Sequence, residues 1–314
     1  MSRNVRSARA FAMVIAASVL LVSSTAGAAT FDAVRPAGSN FDKAEFRLWY
    51  PDAATRLRGL ILLVPGSNGD GRPQVEEPFW QDLAAHHAFG LVGVHLTDKP
   101  HENMVIEHYV EVGQGSGDAL LAALGDLARE SGHPEVATVP WLLWGMSAGG
   151  QFNYELALWK PERVIGFIVN KGGIYYSALA PEAARRVPGL FFIGEADLEF
   201  RNDIVAGIFA INRRVGALWG VAVEPGVGHE VARSKEMAAM FFEDLIDLRL
   251  PDEPPVGAAP VLDPLDPDQG WVADPKTRAV VRAADAPETR YPTAWLPTER
   301  LANAWTSVVS GQPF

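Results

Sequence analysis

The chain has 314 residues, 48% of them apolar, enough to bury a sizeable core as one large domain or two small ones. It contains no cysteine, which excludes disulfides, thiol nucleophiles and thiolate metal sites. Its net charge of −11 disfavours nucleic acid and anionic lipid as partners and otherwise serves solubility.

Arg3, Arg6 and Arg9 precede an apolar run from Ala10 to Val22, followed by small residues ending in Ala26-Gly27-Ala28. This is the pattern of a secretory signal peptide, residues 1–28, cut after Ala28. The alternative, a membrane anchor, needs about 20 apolar residues, and this run is shorter. Cleavage removes three of the 27 basic residues and no acid, leaving 24 against 38, or −14. The expected mature protein is exported to the periplasm or the cell exterior, with no stable membrane insertion.

Phe46 to Pro51 reads as an early strand ended by proline, and Gly59 to Val64 as a strand buried on both faces of a sheet. The latter stops at Pro65-Gly66-Ser67-Asn68-Gly69-Asp70-Gly71, where three glycines in a polar loop suit a backbone that approaches something closely. A helix over Phe79 to His87 leads to a second buried strand, Gly90 to Leu96. His101 and His108 follow in a polar loop with no carboxylate and histidine set to complete a metal site, so they read as solvated. Gly113-Gln114-Gly115-Ser116-Gly117-Asp118 fails as a dinucleotide loop, because Asp118 stands at the third glycine position and no strand ends directly before it. Ser116 or Asp118 reads instead as the N-cap of a helix to about Glu130, with Leu120, Leu121, Leu124 and Leu127 on its core face.

Trp141 to Gly145 is the next buried strand. It runs into Gly145-Met146-Ser147-Ala148-Gly149 and a helix from about Gln151 to Trp159, closed by Pro161. Strands at Val164 to Val169, Val187 to Ile193 and Leu218 to Val223 alternate with helices at Asp203 to Val215 and Ser234 to Arg249. The alternation predicts an α/β fold, a mostly parallel sheet with helices on both faces, over residues 29–250. Six prolines then fall between Pro251 and Pro267, which prevents a helix and reads as an extended strap. A hairpin at Trp271 to Ala273 and Thr277 to Arg282, and an amphipathic helix at Pro297 to Val309 bearing Leu301, Trp305 and Val308, complete an extension, 251–314. It is expected to pack on the main domain, because so short a proline-rich stretch buries little by itself.

Gly-x-Ser-x-Gly between a strand and a helix lifts a serine hydroxyl clear of the sheet and makes Ser147 a nucleophile candidate. Together with its strand-turn-helix context, the pattern resembles the alpha/beta-hydrolase family. That family places its acid after a later strand and its histidine last. Here Phe191 to Asp197 carries Gly-x-x-Asp at a strand end, similar to the family's acid turn, and Gly226-Val227-Gly228-His229 lies between the last strand and the last helix. The resemblance implies a triad of Ser147, His229 and Asp197. Glu195 and Glu199 are rival acids, less well spaced from Gly194, and Asp203 falls inside the next helix. The oxyanion amides implied are those of Ala148 and of Ser67 in the glycine-rich loop. Pro65 stands where the family often has histidine, which leaves Asn68 as an alternative donor.

Only residues 172–186 separate the strand after the nucleophile helix from the next, too few for a full lid. The resemblance therefore points to an uncapped, exported serine esterase similar to dienelactone hydrolases and polyhydroxyalkanoate depolymerases. It implies a small or polymeric ester as substrate, with Tyr175 and Tyr176 as walls of its pocket and no cofactor or metal. Two alternatives remain at this level: a serine peptidase of the same fold and a catalytically silent binding protein.

Overall fold

The computed structural model describes residues 29–102, 106–252, 258, 261–287 and 292–313. The expected signal peptide, and Pro254, Pro255 and Pro260 of the strap, lie outside the described residues. In chain order the main domain runs β1 (Thr30–Arg35), β2 (Lys43–Trp49), β3 (Gly59–Val64), α1 (Pro78–His87), β4 (Phe89–Thr97), α2 (Ser116–Ser131), β5 (Trp141–Gly145) and α3 (Ala148–Trp159). It continues with β6 (Val164–Asn170), α4 (Glu182–Arg185), β7 (Gly189–Gly194), α5 (Glu199–Arg213), β8 (Trp219–Glu224) and α6 (Ser234–Arg249). The extension adds β9 (Trp271–Ala273), β10 (Val280–Arg282), β11 (Ala294–Leu296) and α7 (Glu299–Val309).

The main sheet has eight strands in the order β1-β2-β4-β3-β5-β6-β7-β8. Strand β2 is antiparallel to both of its neighbours, and β4 through β8 run parallel. Every residue of β3, β5, β6 and β7 is buried, as expected of strands covered on both faces by crossover helices. The core beside β6, β7 and β8 is aromatic: Tyr154, Phe167, Phe191 and Trp219 stand edge-on or tilted to one another, with centroids 5.3–6.4 Å apart.

Helix α2 corrects the capping expected of Ser116 or Asp118. Its N-cap is Gly115, at φ 134°, and no side chain on the helix caps it. Asn40, distant in sequence, instead accepts the Ser116 amide at 3.1 Å, while the Ser116 hydroxyl turns inward to the Tyr109 carbonyl at 2.6 Å. A partner from another element satisfies the same orphan donor that a local cap would.

The extension lies against β8. Its strands form a separate antiparallel sheet, β10-β9-β11. Thr298 caps α7 by accepting the Leu301 amide at 3.1 Å, and Leu301, Trp305 and Val308 are fully buried. The Trp305 indole donates to the Val221 carbonyl of β8 at 2.6 Å. Arg300 reaches Asp244 and Glu243 on α6, with N–O distances of 2.7 and 2.9 Å. Trp305→Ala removes a fully buried indole together with its hydrogen bond, and is expected to lower unfolding free energy by about 3–5 kcal/mol. Urea unfolding of the two proteins measures this directly.

Candidate active site

Strand β5 and helix α3 meet at the serine turn, and backbone contact explains its two glycines. A Cβ on Gly149 would lie 2.1 Å from the Val64 carbonyl oxygen, and one on Gly145 would lie 2.3 Å from the Gly149 carbonyl oxygen. Neither position has room for a side chain. Ser147 itself takes φ 55° and ψ −123°, a sparsely populated conformation for a residue with a Cβ, costing about 1–3 kcal/mol. It is held there by its amide, which donates to the Asn170 carbonyl of β6 at 2.8 Å, and by its carbonyl, which accepts the Gln151 amide at 3.1 Å.

Two loops from the same end of the sheet meet this turn. His229, between β8 and α6, places Nε2 3.0 Å from Ser147 Oγ and Nδ1 2.7 Å from Asp197 Oδ2. Asp197, just past β7, sits in a turn whose amide returns to the Gly194 carbonyl at 3.0 Å. The structure thus brings together the three side chains expected from sequence, in a hydrogen-bonded line. Of the rival acids, Glu195 accepts the Gly226 amide at 2.8 Å and braces the histidine loop, while Glu199 and Asp203 belong to α5.

Burial is the largest influence on the Asp197 carboxyl and acts to raise its pKa. The hydrogen bonds from His229 and the Leu198 amide, with the nearby charges of His229 and Arg201, outweigh it and hold the group below the usual carboxylate range. Asp197 is therefore a carboxylate at neutral pH, able to take the Nδ1 hydrogen and leave Nε2 as the acceptor facing Ser147.

Arg201 is a site residue that sequence reasoning missed. Its Nη1 pairs with Asp197 Oδ1 and lies 3.1 Å from His229 Nδ1. That ring nitrogen has one hydrogen to give, and the carboxylate takes it, so Arg201 stands beside the imidazole as a charge and binds the acid. The signal was present as the i,i+4 spacing from Asp197 on the helix that follows it.

The glycine-rich loop after β3 reaches the serine: a Cβ on Gly66 would lie 3.6 Å from Ser147 Cβ. The Asn68 amide is engaged by the Tyr109 hydroxyl at 3.3 Å, and its side-chain oxygen accepts the Asp98 amide at 2.7 Å. Among the described residues, the amides of Ser67 and Ala148 have no such acceptor. Ala148 opens α3, where the helix leaves its first amides unpaired. Beyond Asn68, the loop is pinned by Asp70, which accepts from the Arg72 amide at 3.0 Å and from its guanidinium at 2.7 Å.

Tyr175 packs its ring on Tyr154 at 5.0 Å, with its hydroxyl buried against Gly172. Tyr176 donates to the Glu107 carbonyl at 3.3 Å and lines a recess of about 340 Å³ with Glu155 and Trp159, at the far end of α3 from Ser147. His108 is exposed, as expected of a solvated loop histidine, whereas His101 is partly buried, its ring stacked on that of His108 at 4.0 Å and its Nε2 3.3 Å from Asp98. Among the described residues no group of three or more His, Asp and Glu side chains is gathered closely enough to hold a metal.

Against solved structures, the chain is similar to a poly(3-hydroxybutyrate) depolymerase from Bordetella parapertussis, with a TM-score of 0.50 and 16% identity over 72% of this chain and 91% of that one. The fold is that of an alpha/beta hydrolase. Two crystal structures of an esterase from Pyrobaculum calidifontis also align, each with a TM-score of 0.49, at 15% and 14% identity over 70% of this chain and 85% and 83% of theirs. No family model and no curated protein matches the sequence. In this fold the loops at the carboxyl ends of the parallel strands gather Ser147, Asp197 and His229.

The Asp70 carboxyl is held down to about 2, chiefly by its hydrogen bond to the Arg72 side chain, against burial and with help from the Arg72 amide. A carboxyl depressed in the folded state stabilises above its unfolded pKa and loses that contribution as pH falls through the folded value. Asp70→Asn is therefore expected to be less stable than the parent at pH 7, with the gap closing between pH about 4 and about 2. Urea midpoints across that range test this.

Proposed function

We propose that this protein is a serine hydrolase acting on carboxylic esters through an acyl-enzyme intermediate. The observation that carries the reading is the hydrogen-bonded line Ser147–His229–Asp197 on a strained turn at the mouth of the sheet. Ser147 Oγ attacks the ester carbonyl carbon while its proton passes to His229 Nε2. The carbonyl electrons move to an oxyanion held by the Ser67 and Ala148 amides, each worth about 3 kcal/mol at the transition state. As the intermediate collapses, the carbon–alkoxy bond breaks and His229 returns the proton to the departing alcohol. Water then attacks the acyl-enzyme, gives a proton to His229, and releases the acid as Ser147 regains its hydrogen. The steps need no cofactor or metal.

Access to the serine supports a bulky substrate as well as a small one. Between β6 and β7 the chain inserts only α4, a single turn of helix. Leu198, Phe200 and Val231, close in sequence to Asp197 and His229, are exposed. The leader composition supports export, where an ester too large to import would be met. Poly(3-hydroxybutyrate), the substrate named for the structural neighbour, belongs in any panel of candidates.

The purified protein is expected to hydrolyse p-nitrophenyl acetate, and Ser147→Ala to lower kcat by at least about 10³-fold. Asp197→Asn is expected to lower it by about 10⁴-fold through loss of the productive imidazole tautomer. Hydrolysis that survives Ser147→Ala would overturn the mechanism. Cleavage of peptide anilides without esters would make the protein a peptidase, and inactivity on both would make it a binding protein.

A further inference from the structure

Beneath the site lies an ion pair that the chemistry above does not use. Lys171 and Glu224 are both fully buried, with 0% and 1% of their side chains exposed, and Lys171 Nζ lies 2.5 Å from Glu224 Oε2. Lys171 follows the last residue of β6, and Glu224 is the last residue of β8. Strand β7 stands between them in the sheet, so the lysine stem passes under its end. Gly194 makes this possible: a Cβ there would lie 3.0 Å from Lys171 Cε, and closer still to the carbonyls of Val227 and Gly228.

Each end of the pair is bonded onward to a different part of the triad. Lys171 Nζ also donates to Asn170 Oδ1 at 3.0 Å, and the carbonyl of Asn170 holds the Ser147 amide at 2.8 Å. Glu224 Oε1 accepts the Arg233 amide at 2.9 Å, and its carbonyl accepts the Glu195 amide at 3.1 Å. Residues 224 and 233 bracket the loop that carries His229, and Glu195 begins the turn that carries Asp197. Lys171 also holds φ 52°, a left-handed conformation rare outside glycine, fixed by its amide bond to the Phe192 carbonyl at 2.9 Å. Stability alone does not account for such a pair, because well-packed apolar side chains of the same volume are commonly as stable or more so. What apolar packing cannot supply is direction.

We propose that Lys171 and Glu224 are a positioning pair, which fixes the His229 loop and the Asp197 turn relative to Ser147 from below. This rests on the reading of Ser147 as the nucleophile. Removing both charges leaves the fold but loosens the register of the three side chains, and a displacement of about 1 Å can cost up to about 10²-fold in rate.

The test is the double variant Lys171→Met with Glu224→Met, assayed on p-nitrophenyl acetate with kcat expressed per active site titrated by a fluorophosphonate. The expected result is a melting temperature close to or above the parent's, KM little changed, kcat lower by at least about tenfold, and faster amide exchange confined to residues 225–233. A well-folded double variant with parental kcat and exchange overturns the proposal. If the double variant does not fold, Glu224→Gln decides, since it keeps the volume and the acceptor for Arg233 but gives Lys171 a neutral partner. Lower kcat per titrated site at constant KM then supports the pair, and an unchanged kcat overturns it. A parent that hydrolyses no ester overturns this inference together with the reading it rests on, whereas an active parent with unaffected variants overturns this inference alone.

Discussion

The site depends on a backbone contact before it depends on any side chain. Helix α3 enters so close to β3 that the Gly149 Cα lies against the Val64 carbonyl, and this approach turns the chain sharply between Gly145 and Gly149. The turn forces Ser147 into its strained conformation, which points the hydroxyl away from the sheet and leaves the Ala148 amide unpaired at the helix start. Steric exclusion at two glycines thus sets the direction of the Ser147 hydroxyl, and the other loops are brought to it. Neighbouring strands contribute in turn: β3 supplies the Ser67 loop, β7 the acid and β8 the histidine.

Much of this was legible in the residues. Strands such as Gly59–Val64 and helices such as Ser234–Arg249 stand where uniform burial or apolar periodicity placed them, because parallel strands covered on both faces leave little freedom in composition. Ser147, Asp197 and His229 were findable because their glycine-marked turns are local. The missing parts are those whose cause is distant. Strand β1 pairs with β2 across an unremarkable linker, and β11 forms only against β9. Asn40 caps a helix far along the chain, and Tyr109 secures the Asn68 amide from another loop. Lys171 and Glu224 looked like ordinary charged residues at strand ends, since nothing local says that two opposite charges separated by 53 positions are buried together.

Electrostatically the site is built in layers. Asp197 is shared between His229, the Leu198 amide and Arg201, so its charge is divided among several donors instead of being spent on the imidazole. Arg201 lies beside Nδ1 as well as on the acid, so one guanidinium borders both members of the pair.

The docking of α7 on β8 has a consequence for the molecule's behaviour in company. Strand β8 is the last of the main sheet, and its outward carbonyls and amides are a template on which a strand from another chain can add. The Trp305 indole occupies the Val221 carbonyl, and the helix lies along that border, so the extension covers the edge. A chain shortened before Trp305 would uncover a border open to strand addition while Ser147, Asp197 and His229 all remained in place.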